Sequence, residues 1–147
     1  MQLRLTKQFD FQMAHALCGY DGKCRNIHGH NYKLMVTVEG TPIDNPDEAK
    51  NGMVIDFSDI KCIVEKYVVE PLDHALVLPE GSPYLSLLNG VDNQEDKPKM
   101  IVTPFQPTCE NMLLYFARLL DGRFPDGVKL YSMRLYETDT SFAELLL

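Results

Sequence analysis

Two stretches of strict alternation constrain this chain more than any other feature. From Leu3 onward, Leu3, Leu5, Phe9, Phe11 and Met13 hold odd positions, while Arg4, Thr6, Gln8, Asp10 and Gln12 hold even ones. A period of two belongs to a strand with one buried and one wet face. After a glycine-bearing loop, CGYDGKCRN, the pattern returns. Tyr32, Leu34, Val36 and Val38 share one parity, and Asn31, Lys33, Thr37 and Glu39 share the other. These two strands are expected to pair antiparallel.

The rest of the chain supplies helices and two further strands. GTPIDNPDEAKNG has the Gly, Pro, Asn and Asp content of a surface loop. Asp56 can cap a helix in which Phe57, Ile60, Val64 and Val68 recur at threes and fours, with Pro71 ending it. Residues 79–100 read as a long polar connection, functional or mobile, with Met100 to Phe105 a short extended piece. Thr108 looks like the cap of a second helix whose buried stripe is Met112, Leu113, Phe116, Leu119 and Leu120, stopped at Gly122. GVKLYSMRLYET and SFAELLL are the third and fourth strands. The expected order is ββααββ, an α+β domain over residues 1–147 with an antiparallel four-stranded sheet and two helices on one face. Such a sheet has two edges, and closing a barrel across subunits would bury them, so a homo-oligomer is expected.

Composition narrows the partners. A chain of 147 residues that is 45% apolar can bury a core without staples. Cys18, Cys24, Cys62 and Cys109 lack paired C-x-x-C spacing and read as free thiols. A formal charge of −7 argues against a nucleic-acid partner, because phosphate binding needs clustered positive charge. Neither a transmembrane run nor a secretory leader is visible, so no membrane partner and a cytoplasmic location are expected.

The chemistry concentrates in KCRNIHGHNYKL. Side chains two apart on a strand share a face, so His28 and His30 point inward with Tyr32 and Leu34. His15 has the inward parity of Phe11 and Met13 on the first strand. If the strands pair antiparallel, the three imidazoles converge at one end of the sheet. A lone inward histidine is ordinarily a hydrogen-bonded core residue. Three on a common face point instead to zinc held by three nitrogens, with a fourth position open to water.

Spacing leaves three roles open for Cys24: fourth ligand of a structural zinc, buried thiol, or reactive thiolate. Lys23 and Arg25 beside it favour the thiolate. Asp73 and His74 are adjacent in LDHALVL and can form an acid–base unit, or simply a capping or surface pair. Glu137 ends the apolar face Tyr131, Met133, Leu135, where a carboxylate could anchor a ring bearing N–H donors or merely end a strand in solvent. Glu110, in the first turn of the second helix, is favoured there by the helix dipole alone.

Together FDFQMAHAL, KCRNIHGHNYKL, GMVIDFSDIK, LDHALVL, PTCENMLLYF and LYETDTSFAEL resemble the 6-pyruvoyltetrahydropterin synthase family, including its 6-carboxytetrahydropterin synthase branch. The resemblance spans essentially the whole chain. It implies that His15, His28 and His30 bind zinc, that Cys24 is the base, and that Asp73 and His74 are the acid–base pair. It further implies that Glu137 anchors a pterin ring, with Thr108 and Glu110 near the pterin pocket. The implied architecture is the tunnelling fold, in which trimers close a barrel and pair into hexamers with sites at subunit interfaces. The implied substrate is 7,8-dihydroneopterin triphosphate, for whose phosphates Lys23, Arg25 and Lys33 are candidates.

The C-x3-H-G-H spacing is similar to that of the branch in queuosine biosynthesis. That branch releases acetaldehyde and triphosphate and leaves 6-carboxy-5,6,7,8-tetrahydropterin. Two rival readings stand beside it. One is the biopterin-type synthase, which eliminates triphosphate without losing carbon. The other is a non-catalytic zinc-binding protein with Cys24 closing the site. The chain departs from the family pattern in its long 79–100 segment and in Cys109, where PT-x-EN often has a small residue.

Overall fold

The computed structural model describes residues 1–91 and 93–147. The two alternating runs form β1 (Leu3–His15) and β2 (His28–Gly40), paired antiparallel from Leu3 opposite Gly40 to His15 opposite His28. Their odd and even parities respectively bury Phe9, Phe11, Met13, Tyr32, Leu34, Val36 and Val38. A one-residue slip would turn all of these to water, which is why the register is firmly specified.

Asp56 caps α1 (Phe57–Val64) by accepting the Ser58 N–H at 2.7 Å. The helical path continues through a wider π turn, Glu65–Val69, into α2 (Glu70–Leu72). Ile60, Val64, Val68 and Leu72 are all buried although each lies four residues after the last. In a regular α-helix such a row drifts about 40° per step, and the π turn absorbs the drift. Phe57, expected on this stripe, is exposed, and Pro71 sits inside the last turn rather than beyond it.

The sheet has six strands among the described residues, not the expected four. Their order is β4-β3-β1-β2-β5-β6, with β3 (Ala75–Pro79), β4 (Met100–Thr103), β5 (Val128–Thr138) and β6 (Ser141–Leu146). Nor is it wholly antiparallel: β3 runs parallel to β1, and β4 parallel to β3. ALVLP is short and nearly all buried, so it lacks the alternation that betrays a half-exposed strand. Between β3 and β4 lies α3 (Tyr84–Leu88), in a segment that reads as irregular from composition.

Thr108 caps α4 (Cys109–Leu120), its hydroxyl accepting the Asn111 N–H at 3.3 Å. Helices α1 and α4 share one apolar cluster with the inward faces of β1, β2 and β5. On β5 the register shifts opposite Thr37 and Val38. The bulge turns Tyr131 away from the apolar row, so that Arg4 stacks over its ring at 3.6 Å, and Leu130, Met133 and Leu135 face the core instead.

Leu34 lies at the centre of this cluster with no exposed surface. Leu34→Ala should lower the free energy of unfolding by about 2–5 kcal/mol, read from urea denaturation midpoints at unchanged slope.

Candidate active site

The inner face of the sheet ends in histidine. His15 and His28 are directly opposed across β1 and β2, and His30 lies one inward step along β2. The possible ligand nitrogens of the three imidazoles fall within 4.8 Å of one another. Burial is graded, from His15, 1% exposed, to the half-buried His28 and His30.

Hydrogen bonds to the main chain set the tautomers. His15 Nδ1 donates to the Pro107 carbonyl at 2.7 Å, and His28 Nδ1 donates to the Asn26 carbonyl at 2.7 Å. A carbonyl only accepts, so each neutral ring carries its proton on Nδ1 and presents a lone pair at Nε2. Those two Nε2 atoms face each other at 3.1 Å. His30 Nε2 is buried without a hydrogen-bond partner. Glu137 Oε1 stands 3.6 Å from His15 Nε2 and 3.7 Å from His30 Nε2. Polar atoms with no donor between them therefore converge on one point, and a cation held there would resolve their repulsion. Two nitrogens bound to one tetrahedral zinc would lie about 3.3–3.4 Å apart, close to the spacing present. The three-histidine site fits a metal ion, with carbonyl partners behind two of its ligands as metal-bound imidazoles usually have.

Burial holds the pKa of His15 and of His30 below the usual histidine value. Both rings are thus ready to ligate at neutral pH. The opposite holds for Tyr32, whose phenol burial pushes far above its usual range. It stays an O–H donor, directed at Glu137 Oε1 at 3.5 Å.

A cleft of about 350 Å³ opens beside the histidines, lined by His15, Cys24, Thr108, Cys109, Glu110 and Glu137 among others. Five of the nine site residues singled out from the sequence thus meet in one place. Cys24 sits in a single 3-10 turn, Lys23–Arg25, and its carbonyl accepts the Leu17 N–H at 2.9 Å, closing the loop. It is not part of the close group of ligand atoms. Cys109 is the second thiol of the cleft. Burial pushes its pKa up to about 11, and it donates to the Leu135 carbonyl at 3.3 Å, so it is a neutral thiol rather than a base.

Asp73 and His74 pair with each other, Oδ1 to Nδ1 at 3.0 Å, but lie elsewhere. They border a separate hollow with Asp10, Gln12 and Asn31, residues of the sheet's polar parity. The Gln12 N–H, donating to Asp73 Oδ1 at 3.0 Å, is the main cause of a lowered Asp73 pKa. Of the three candidate cations, Lys23 and Arg25 flank Cys24, whereas Lys33 lies opposite Asp10 on the polar face.

Sequence reading missed Gln106, whose side-chain amide brackets Cys18. Its Oε1 accepts the Cys18 N–H at 2.9 Å and its Nε2 donates to the Cys18 carbonyl. This ties the Cys24 loop to the segment that leads into α4. A glutamine in a loop carries no periodic signal that could have marked it.

A mixed sheet with helices on one face and three histidines at the end of its central strands defines an α+β protein with a cluster able to hold a metal ion beside a small cleft. The chain belongs to the 6-pyruvoyl tetrahydropterin synthase family, whose family model matches residues 4–146. A 6-carboxy-5,6,7,8-tetrahydropterin synthase of Haemophilus influenzae is 39% identical over 141 residues, covering 96% of each chain. A 6-pyruvoyl tetrahydrobiopterin synthase of Pongo abelii is 36% identical over 122 residues, 82% of this chain and 68% of that one. The solved 6-pyruvoyl tetrahydropterin synthase of Caenorhabditis elegans shares the fold, with a TM-score of 0.68 at 23% identity over 100% of this chain and 96% of that one.

The lowered histidine pKa values carry a sign. Below about pH 6.5 the unfolded chain takes up protons that the folded, metal-free chain resists, so folding stability falls as pH drops through that range. Thermal melts of metal-free protein between pH 5 and 7.5 should show the melting temperature rising with pH. His15→Gln should flatten that dependence.

Proposed function

We propose that this chain is a zinc-dependent enzyme of one domain, residues 1–147. It converts 7,8-dihydroneopterin triphosphate to 6-carboxy-5,6,7,8-tetrahydropterin with release of acetaldehyde and triphosphate, a carbon–carbon lyase step in queuosine biosynthesis in the cytoplasm. The observation that carries the reading is the single cleft in which His15, Cys24 and Glu137 meet beside the other two histidines. The Haemophilus influenzae relative, matched almost end to end, bears the name of that activity.

His15, His28 and His30 would hold zinc, which when bound supplies Lewis acidity that makes side-chain hydroxyls of the substrate more acidic. The residues of the chain do the rest. Cys24, between Lys23 and Arg25, removes a proton from the substrate side chain as a thiolate. Glu137, supported by the Tyr32 hydroxyl, accepts N–H donors of the pterin ring. Thr108 and Glu110 line the same wall at the start of α4. Lys23 and Arg25 offer charge to the triphosphate.

Asp73 and His74 do not line the Cys24 cleft of their own chain but border hollows next to it, one of which His74 shares with His30. We assign them to the cleft of a neighbouring subunit, in a trimer or dimer of trimers with shared sites. The exposed edges of β4 and β6 support such an assembly.

Among the described residues no helix is long and apolar enough to cross a membrane. The biopterin-type reaction remains the second reading, because the Pongo abelii relative is named for it. Zinc-loaded protein incubated with dihydroneopterin triphosphate should yield acetaldehyde and the 6-carboxy product by mass. A 6-pyruvoyl product without acetaldehyde would move the chain to the second reading.

Single substitutions separate metal from base. Cys24→Ala should abolish turnover and keep about one zinc per chain by metal analysis, whereas His28→Ala should lose the metal. Zinc lost with Cys24→Ala would instead make Cys24 a ligand and the protein a closed, non-catalytic zinc site.

A further inference from the structure

The turn from α2 into β3 is built against the preference of its own residues. The helical run ends at Leu72, Asp73 is extended, and His74 takes φ +61°, in the left-handed region. It is the one non-glycine residue with positive φ among the described residues. The position just past a helix usually falls to glycine, because a Cβ there crowds the following carbonyl oxygen. A histidine persists in such a conformation where its surroundings over-determine the backbone.

Two sets of contacts do so. From β1, the Gln12 carbonyl accepts the His74 N–H at 2.6 Å and the Gln12 N–H binds the Asp73 carboxylate. From the far end of the 79–100 segment, Lys99 Nζ donates to the carbonyls of Glu70 and Asp73, the second at 2.8 Å. These are carbonyls at the end of a helix, which lack intrahelical partners and carry the negative end of its dipole. The Lys99 backbone is itself anchored, its carbonyl accepting the Leu76 N–H at 2.8 Å. The lysine therefore ties both sides of the turn, the helix end before it and the first residues of β3 after it.

We infer that Lys99 is a positioning residue for the Asp73–His74 pair, holding the two carbonyls that keep His74 in its left-handed turn and its ring against the Asp73 carboxylate. The inference rests on the reading of Asp73 and His74 as the acid–base pair. It also gives a task to the end of the 79–100 segment: β4 brings Lys99 back beside the helix terminus it closes.

The test compares Lys99→Met, Lys99→Arg, Lys97→Met and His74→Ala in the zinc-loaded, assembled protein, reading kcat, KM, melting temperature and hydrogen exchange at the His74 amide. Lys99→Met should lower kcat by about tenfold to a hundredfold with KM within about twofold. It should also speed exchange at His74 by about tenfold while distant amides and the melting temperature stay put. Lys99→Arg should recover part of kcat, and Lys97→Met, an exposed neighbour, should resemble the parent. Wild-type kcat in Lys99→Met, with His74→Ala inactive, overturns the role of Lys99 alone. Loss of kcat together with a general fall in melting temperature, unrelieved by arginine, overturns it in favour of a structural role. Full turnover by His74→Ala overturns the acid–base reading itself, whatever Lys99→Met does to the exchange of the amide.

Discussion

The antiparallel register of β1 on β2 is the constraint on which the rest of the structure depends. It is fixed by two apolar rows that bury only when Phe9 meets Leu34 and Phe11 meets Tyr32. The same register carries His15 to the position opposite His28. No separate device is needed to assemble the three imidazoles, because they are the polar end of the row that forms the core. The energy that specifies the fold, apolar burial summed over two long strands, also brings the three histidines together. What the register does not provide is ring orientation, and this comes from loop carbonyls. Pro107, just before α4, and Asn26, just after the Cys24 turn, fix the tautomers. One of these loops carries Cys24 and the other leads into Thr108 and Glu110 at the start of α4, so the orientation of the histidines and the shape of the cleft are set together.

How far the chain could be read in advance follows from where periodicity exists. The alternation of β1 and β2, the three-and-four spacing of α4 and the parity of the histidines are local, repeated signals, and each survives in the structure. Strands β3 and β4 are buried or very short and carry no alternation, so a four-stranded sheet was the natural expectation and a six-stranded mixed one is the result. Tyr131 shows a different limit. Its parity matches Met133 and Leu135, but one extra residue opposite Thr37 and Val38 reverses it, and a bulge leaves no mark in a pattern of apolar positions. The wall of the cleft was legible only in part. Glu137 and Cys24 stood out by chemistry, whereas Gln106 and Tyr32, which support the wall from behind, act through side-chain contacts that only folding reveals.

The separation of Asp73–His74 from Cys24 has a topological cause. Because β3 pairs parallel with β1, its first residues align with the end of β1, at Met13 opposite Ala75. The residues just before Ala75 therefore lie beside Gln12, whose side chain has the polar parity, while His15 and the cleft occupy the apolar parity. Two groups adjacent along the sheet can thus serve opposite faces of it. In the proposed assembly, Asp73 and His74 on one face and Cys24 with the three histidines on the other would become a single site where the polar face of one copy meets the cleft of the next. A sheet whose outer strands leave their backbone groups unpaired has a physical reason to make that contact. On that proposal assembly and catalysis would share one requirement, since the edges to be covered and the groups to be brought together belong to the same sheet.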